Sequence, residues 1–249
     1  MGHQPATPPV DRRRDHVPSP WSANRSAESL VGFDGHVCSL QYSLGGAAIA
    51  TLGRSLSTEL TMSRNHCVCP WWLGPLLCCP LRRLLEKPET LLGPYVQPRM
   101  TVLEPGCGMG YFTLPLARMV GPQGRVVCVD LQPRMIRGLE RRARRAGLLD
   151  RIDASTCTPE DLGIARWNGR IDLAVAIHMV HEVPDQRRLL DQLHAALAPN
   201  RLLILIEPKG HVSSMKFEET LAVAREAGLN VREHDAIRRE RRAVLQRAG

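Results

Sequence analysis

Beyond residue 100, short runs that are apolar at nearly every position alternate with stretches in which apolar residues return every three or four positions. The first kind fits strands buried on both faces, the second amphipathic helices. Met100–Glu104 predicts a first strand, and Phe112–Val120 a helix with Leu114, Ala117, Arg118 and Val120 on its buried stripe. Arg125–Asp130 predicts a second strand and Pro133–Ala146 a helix carrying Met135, Ile136, Leu139 and Ala143 at helical spacing. Pro133 suits the first turn of that helix and Gly147 its left-handed stop. Strands are expected at Arg151–Cys157, Ile171–Ile177 and Arg201–Glu207, and helices at Asp185–Ala198 and Ser214–Ala227, followed by Asn230–His234 and Arg241–Gln246. Doubly buried strands alternating with helices imply an α/β domain, a doubly wound, mostly parallel sheet covered on both faces. Such sheets bind ligands beyond the C-terminal strand ends, where strand order reverses. Glu104, the turn after it, Asp130, Cys157, His178 and Glu207 all fall at or just past those ends, so one crevice collects them.

The first part of the chain lacks this pattern. Residues 1–61 hold scattered Pro, Ser and Gly with no sustained period, and are expected to form a flexible extension outside the functional fold. Residues 62–98 are expected to form an N-terminal helical cap or lid, and residues 99–249 the ligand-binding domain. No apolar run resembles a secretory signal, and none reaches the ~18 residues of a transmembrane helix, so a cytoplasmic protein with no membrane partner is expected.

Composition adds charge. The formal net charge is +8, and of 33 basic residues only Lys87, Lys209 and Lys216 are lysine. Arginines concentrate at 134–151 and 225–247, which permits an anionic partner, nucleic acid included. Almost no aromatics interleave with them for base stacking, so solvated helix faces are the preferred reading. The eight cysteines read as free thiols in a reducing compartment.

The sharpest chemical signal is Glu104-Pro-Gly-Cys-Gly-Met-Gly110, a G-x-G-x-G turn between a strand and a helix. Its glycines, Gly106, Gly108 and Gly110, allow a tight bend and let a ligand approach backbone N–H groups. Asp130 closes the next strand and can accept both hydroxyls of a ribose. A nicotinamide enzyme would place its third glycine one residue later, and Glu104 would face the pyrophosphate with negative charge. An acidic residue here suits a ligand with a cationic end. Either carboxylate could instead cap the local backbone.

On these residues the chain, over roughly 99–246, resembles the class I S-adenosylmethionine-dependent methyltransferases acting on small molecules. The resemblance implies a seven-stranded Rossmann-like sheet and S-adenosylmethionine as cofactor. Glu104, Gly106, Gly108 and Gly110 would then cradle the methionine portion, and Asp130 the ribose. Leu131 would pack on adenine, with Met135 as a second candidate. Thr158 stands where the family often has an aspartate for the adenine amine, with Cys157 and Glu160 as substitutes. Ile177 and His178 match the segment lining the reaction centre.

On the acceptor side, His178 and His181 are the candidate catalytic bases, since imidazole titrates near neutrality. The alternative is that His178 packs under a loop. Asn/Asp-Pro-Pro-Tyr/Phe, the family motif for amide and exocyclic-amine targets, is absent after the fourth strand. Lys209 and His211 could receive an anionic group, or stand as loop polar residues. His66, Cys67, Cys69, Cys78 and Cys79 could be soft-metal or metalloid ligands in a thiol-bearing lid, with Trp71 and Trp72 packing it down; their spacing does not match a structural zinc site, and no metal is assigned. The expected activity is therefore methyl transfer to a small molecule by a monomer or homodimer. The alternatives are an RNA methyltransferase using the arginine faces and a non-catalytic S-adenosylmethionine-binding regulator.

Overall fold

A computed structural model describes residues 86–237 and 239–249. The expectations for residues 1–61, and for the cysteine and tryptophan positions of the lid, lie outside the described residues. Within them, a short helix α1 (Pro88–Leu92) precedes β1 (Thr101–Pro105), α2 (Thr113–Met119), β2 (Arg125–Asp130) and α3 (Pro133–Arg145). Then follow β3 (Ile152–Thr156), β4 (Ile171–Ile177), α4 (Gln186–Ala196), β5 (Leu197–Pro208), α5 (Ser214–Glu226), β6 (Leu229–Ile237) and β7 (Glu240–Arg247).

The strands form one seven-stranded sheet in the order β3-β2-β1-β4-β5-β7-β6. Pairing is parallel from β3 to β5, and β7 inserts antiparallel between β5 and β6. Side chains alternate across the sheet with period two. On β4, Leu173, Val175 and Ile177 join the core under α1, α2 and α3, while Ala174 and Ala176 join the core under α4 and α5. Strands buried on both faces had to be apolar at every position, which is why the sequence shows runs there rather than alternation.

Helix boundaries follow local chemistry. Pro133 opens α3, where its missing N–H has no partner to lose, and Gly147, at φ 64°, ends the segment in the left-handed region. Asp185 is the cap of α4 rather than its first turn, because its carboxylate accepts the Arg188 N–H at 2.9 Å. Ser213 caps α5 by accepting the Lys216 N–H at 3.2 Å. Arg118 departs from its expected place on the buried stripe: it is exposed in the last turn of α2, where a cation suits the helix C-terminus. β5 begins at Leu197, before the expected Arg201, through a further pairing of Leu197 with Ile171 on β4. No helix among the described residues is long and apolar enough to cross a membrane.

Candidate active site

Strand order reverses between β1 and β4, which both pair directly with each other while their onward connections run to opposite sides of the sheet. At that point a cavity of about 600 Å³ opens beyond the C-terminal strand ends. Its floor is the turn Glu104–Gly108, and one wall is the Asp130–Gln132 segment after β2. The opposite wall is the Ile177–Pro184 segment after β4, with Pro208 and His211 beyond β5.

The glycine turn is shaped by two different demands. Gly110, at φ 83°, lies so close to α3 that a Cβ would stand 2.3 Å from Leu139 Cδ1. Gly108, at φ 54°, faces open space, with nothing within 4 Å of where a Cβ would be. The first glycine lets α3 pack against the turn; the second leaves backbone bare toward the cavity.

Two buried carboxyls border the turn. Glu104 is 4% exposed, and its Oε2 accepts the Thr113 hydroxyl at 2.7 Å. Burial pushes its carboxyl from the ordinary 4.5 to about 8, the Thr113 hydrogen bond opposing and the Asp130 charge adding to the rise. Asp130 is 8% exposed. Its Oδ2 accepts the Gly108 N–H at 2.9 Å and its Oδ1 the Gln132 N–H at 2.9 Å, so the carboxylate ties the turn to the start of the α3 connection. Burial raises its carboxyl too, opposed by those two backbone donors. No Lys or Arg among the described residues forms an ion pair with either carboxyl. At neutral pH Glu104 therefore keeps its proton, and a cationic ligand beside it would favour its ionised form.

Leu131 stands exposed at the cavity wall, and Met135, buried, also lines it. Cys157 and Thr158 both reach the cavity; Thr158 is exposed, and its Oγ1 accepts the Asp161 N–H at 3.0 Å within a tight turn. Glu160 and Lys209 are not among the lining residues, whereas His211 is. Ile177 is buried at the end of β4, and His178 follows it with a left-handed φ of 56°. His178 Nε2 lies 3.3 Å from Glu240 Oε1 and 3.8 Å from Glu86 Oε1. Glu86, His178 and Glu240 each bring one donor atom within 4.8 Å of the others, a side-chain grouping that no local sequence spacing announces. His181, in the 3-10 turn Val180–Glu182, instead contacts Glu207 through Nδ1. Cavity residues that the sequence reading did not single out include Phe112, Leu162, Leu189 and Gln192. For Phe112 and Leu189 the available signal was an apolar side chain at the start of α2 and of α4.

A family model described as a methyltransferase domain matches residues 80–243. The chain belongs to this methyltransferase family. Among curated relatives, the C-methyltransferase UbiE for ubiquinone and menaquinone biosynthesis of Hydrogenovibrio crunogenus (strain DSM 25203 / XCL-2) is 26% identical over 112 residues, 45% of this chain and 43% of the relative. A protein-L-isoaspartate O-methyltransferase of Triticum aestivum is 46% identical over 46 residues, 18% of this chain and 20% of the relative. The chain therefore spans less than half the length of either. Among solved structures, an S-adenosylmethionine-dependent methyltransferase from Aquifex aeolicus superimposes with a TM-score of 0.65 at 21% identity, covering 72% of this chain and 99% of that one. That likeness is one of fold.

The Aquifex aeolicus protein is named for its dependence on S-adenosylmethionine. The residues present fit it: bare backbone at Gly108, a buried carboxyl at Glu104 toward an ammonium, and a half-engaged carboxylate at Asp130 toward vicinal hydroxyls. When bound, the donor supplies an activated methyl on a positively charged sulfur.

Proposed function

We propose that this methyltransferase acts on a small-molecule acceptor held in the half of the cavity away from the glycine turn. In this reading Glu104, Gly106, Gly108 and Gly110 hold the methionine portion of the donor and Asp130 its ribose. Leu131 and Met135 cover the adenine, Thr158 borders its edge, and Ile177 lies beside the methyl. The observation that carries the acceptor class is the cavity's apolar lining: Phe112, Leu162, Val183 and Leu189 border the same cavity of about 600 Å³, suited to a small molecule rather than to a polyanion. Alignment of acceptor, methyl and sulfur within such a wall contributes about 7–11 kcal/mol of barrier lowering. The reading goes with a cytoplasmic enzyme, in which Cys107, Cys128 and Cys157 remain free thiols.

The test is incubation with methyl-labelled S-adenosylmethionine and a fractionated metabolite extract, followed by identification of the labelled product. A labelled small molecule supports the reading. Donor binding with no S-adenosylhomocysteine formed in any fraction would leave a binding regulator instead. An RNA acceptor rests on one observation, the exposed Arg134, Arg137, Arg141 and Arg144 along α3 beside the cavity wall. Activity toward RNA would fall steeply with added salt, whereas transfer to a neutral small molecule would not.

A further inference from the structure

We infer that His181, held by Glu207, removes a proton from the methyl acceptor, so that the substrate is a nucleophile bearing an acidic X–H: a phenol-type hydroxyl, a thiol or an enolisable carbon. This rests on the small-molecule reading and narrows it. The two residues come from neighbouring parallel strands. Ile177 and Ile206 are paired in register, so the turn after β4 and the end of β5 leave the sheet side by side. Glu207 is 1% exposed. Its Oε1 accepts the Val180 N–H at 2.8 Å and the His181 N–H at 3.3 Å, which fixes the carboxylate against the backbone of the turn that carries the histidine. Its Oε2 is then left to receive His181 Nδ1.

A carboxylate with donors on Oε1 is an acceptor, so the fitting tautomer carries its proton on Nδ1 and keeps the lone pair on Nε2. The His181 ring borders the cavity and meets the His211 ring edge-on, with centroids 5.5 Å apart and planes at 74°. His178, by contrast, turns its Nε2 toward Glu240 and Glu86. In the step, His181 Nε2 takes the proton from X while the X–H electron pair becomes the X–CH₃ bond. The carbon–sulfur pair stays on sulfur, which leaves as neutral S-adenosylhomocysteine. The imidazolium so formed is neutralised by Glu207 and returns its proton to solvent. Glu207 is thus a positioning residue, the role a carboxylate plays behind a histidine base elsewhere.

The charged and titratable groups around His181 are Glu207 from β5, Glu182 from its own turn, His211 beyond β5 and Lys216 from α5. Desolvation lowers its pKa, but the Glu207 hydrogen bond and charge outweigh this, and the net direction is upward. The test combines three readouts. In the ligand-free protein, the His181 ring is titrated by NMR in the wild type and in Glu207→Gln. Donor binding is measured for His181→Gln. Turnover of both variants is followed with labelled donor and the fraction that the wild type methylates.

The expected result is a lower His181 midpoint and a lower-pH acidic limb in Glu207→Gln. With it go a turnover loss of about 100-fold or more in His181→Gln and donor affinity within about threefold of wild type. An unmoved midpoint, undiminished turnover in His181→Gln, or a product methylated on a tertiary amine or thioether overturns the inference and leaves the small-molecule reading standing. A wild type that methylates no fraction refutes the small-molecule reading itself, and this inference with it.

Discussion

Glu104 gives the most direct measurement of what the site stores before any donor binds. Its carboxyl is 4% exposed, and burial moves its pKa from 4.5 to about 8. The native state therefore keeps a proton that the unfolded chain releases above pH 4.5. Stability from this group is complete below 4.5, falls as the pH rises and is lost once the pH passes 8. Between pH 5 and pH 8 the difference amounts to roughly 3–4 kcal/mol. Glu104→Gln keeps the shape and the acceptor for Thr113 but has no proton to lose, so its stability lacks this slope. Urea unfolding of both proteins at pH 5, 6, 7 and 8, without ligand, reads the difference directly. The gap between variant and wild type should widen by roughly 3–4 kcal/mol over that range. Donor binding should also release close to one proton from the wild type near pH 6.5, seen as buffer-dependent heat, because an ammonium stabilises the ionised form. Parallel loss of stability in both proteins, with no proton release, would refute the argument that Glu104 is held neutral until a cation arrives.

Three further outcomes follow from packing and hydrogen bonding. Asp130→Ala should weaken donor binding by about 1.5–3 kcal/mol, the worth of hydrogen bonds to a charged group, measured by titration calorimetry. Gly110→Ala should destabilise the protein by about 3 kcal/mol, since a left-handed φ and a Cβ 2.3 Å from Leu139 act together; the urea midpoint reads it. Leu193→Ala empties a fully buried site between α4 and the sheet and should lower stability by about 2–5 kcal/mol, leaving donor affinity unchanged.

The glycine bend and the position of Asp130 beside it were legible because they are local. A strand, a three-glycine bend and the next strand's terminal Asp130 are set by short-range geometry, and strands buried on both faces advertise themselves by apolar runs such as Ile171–Ile177. The ends of α3 were equally plain, as Pro133 and Gly147 act through their own φ angles. Even the register of Asp185 was nearly right, with the cap misread by one residue as helix. The side-chain pairings beyond β4 and β5 were not legible to the same degree. His181 and Glu207 lie 26 residues apart, and His178, Glu86 and Glu240 come from three separate segments.

The amino-acid sequence alone determined the layered α/β architecture and the glycine bend at the floor of the cavity, because propensity, periodicity and glycine geometry act over a few residues. Only the tertiary structure decided which imidazole meets Glu207 and which meets Glu86 and Glu240, and that β7 enters between β5 and β6 to bring Glu240 near His178. Those pairings depend on strand order and register, which bring distant segments to the same sheet edge through cooperative burial of both faces.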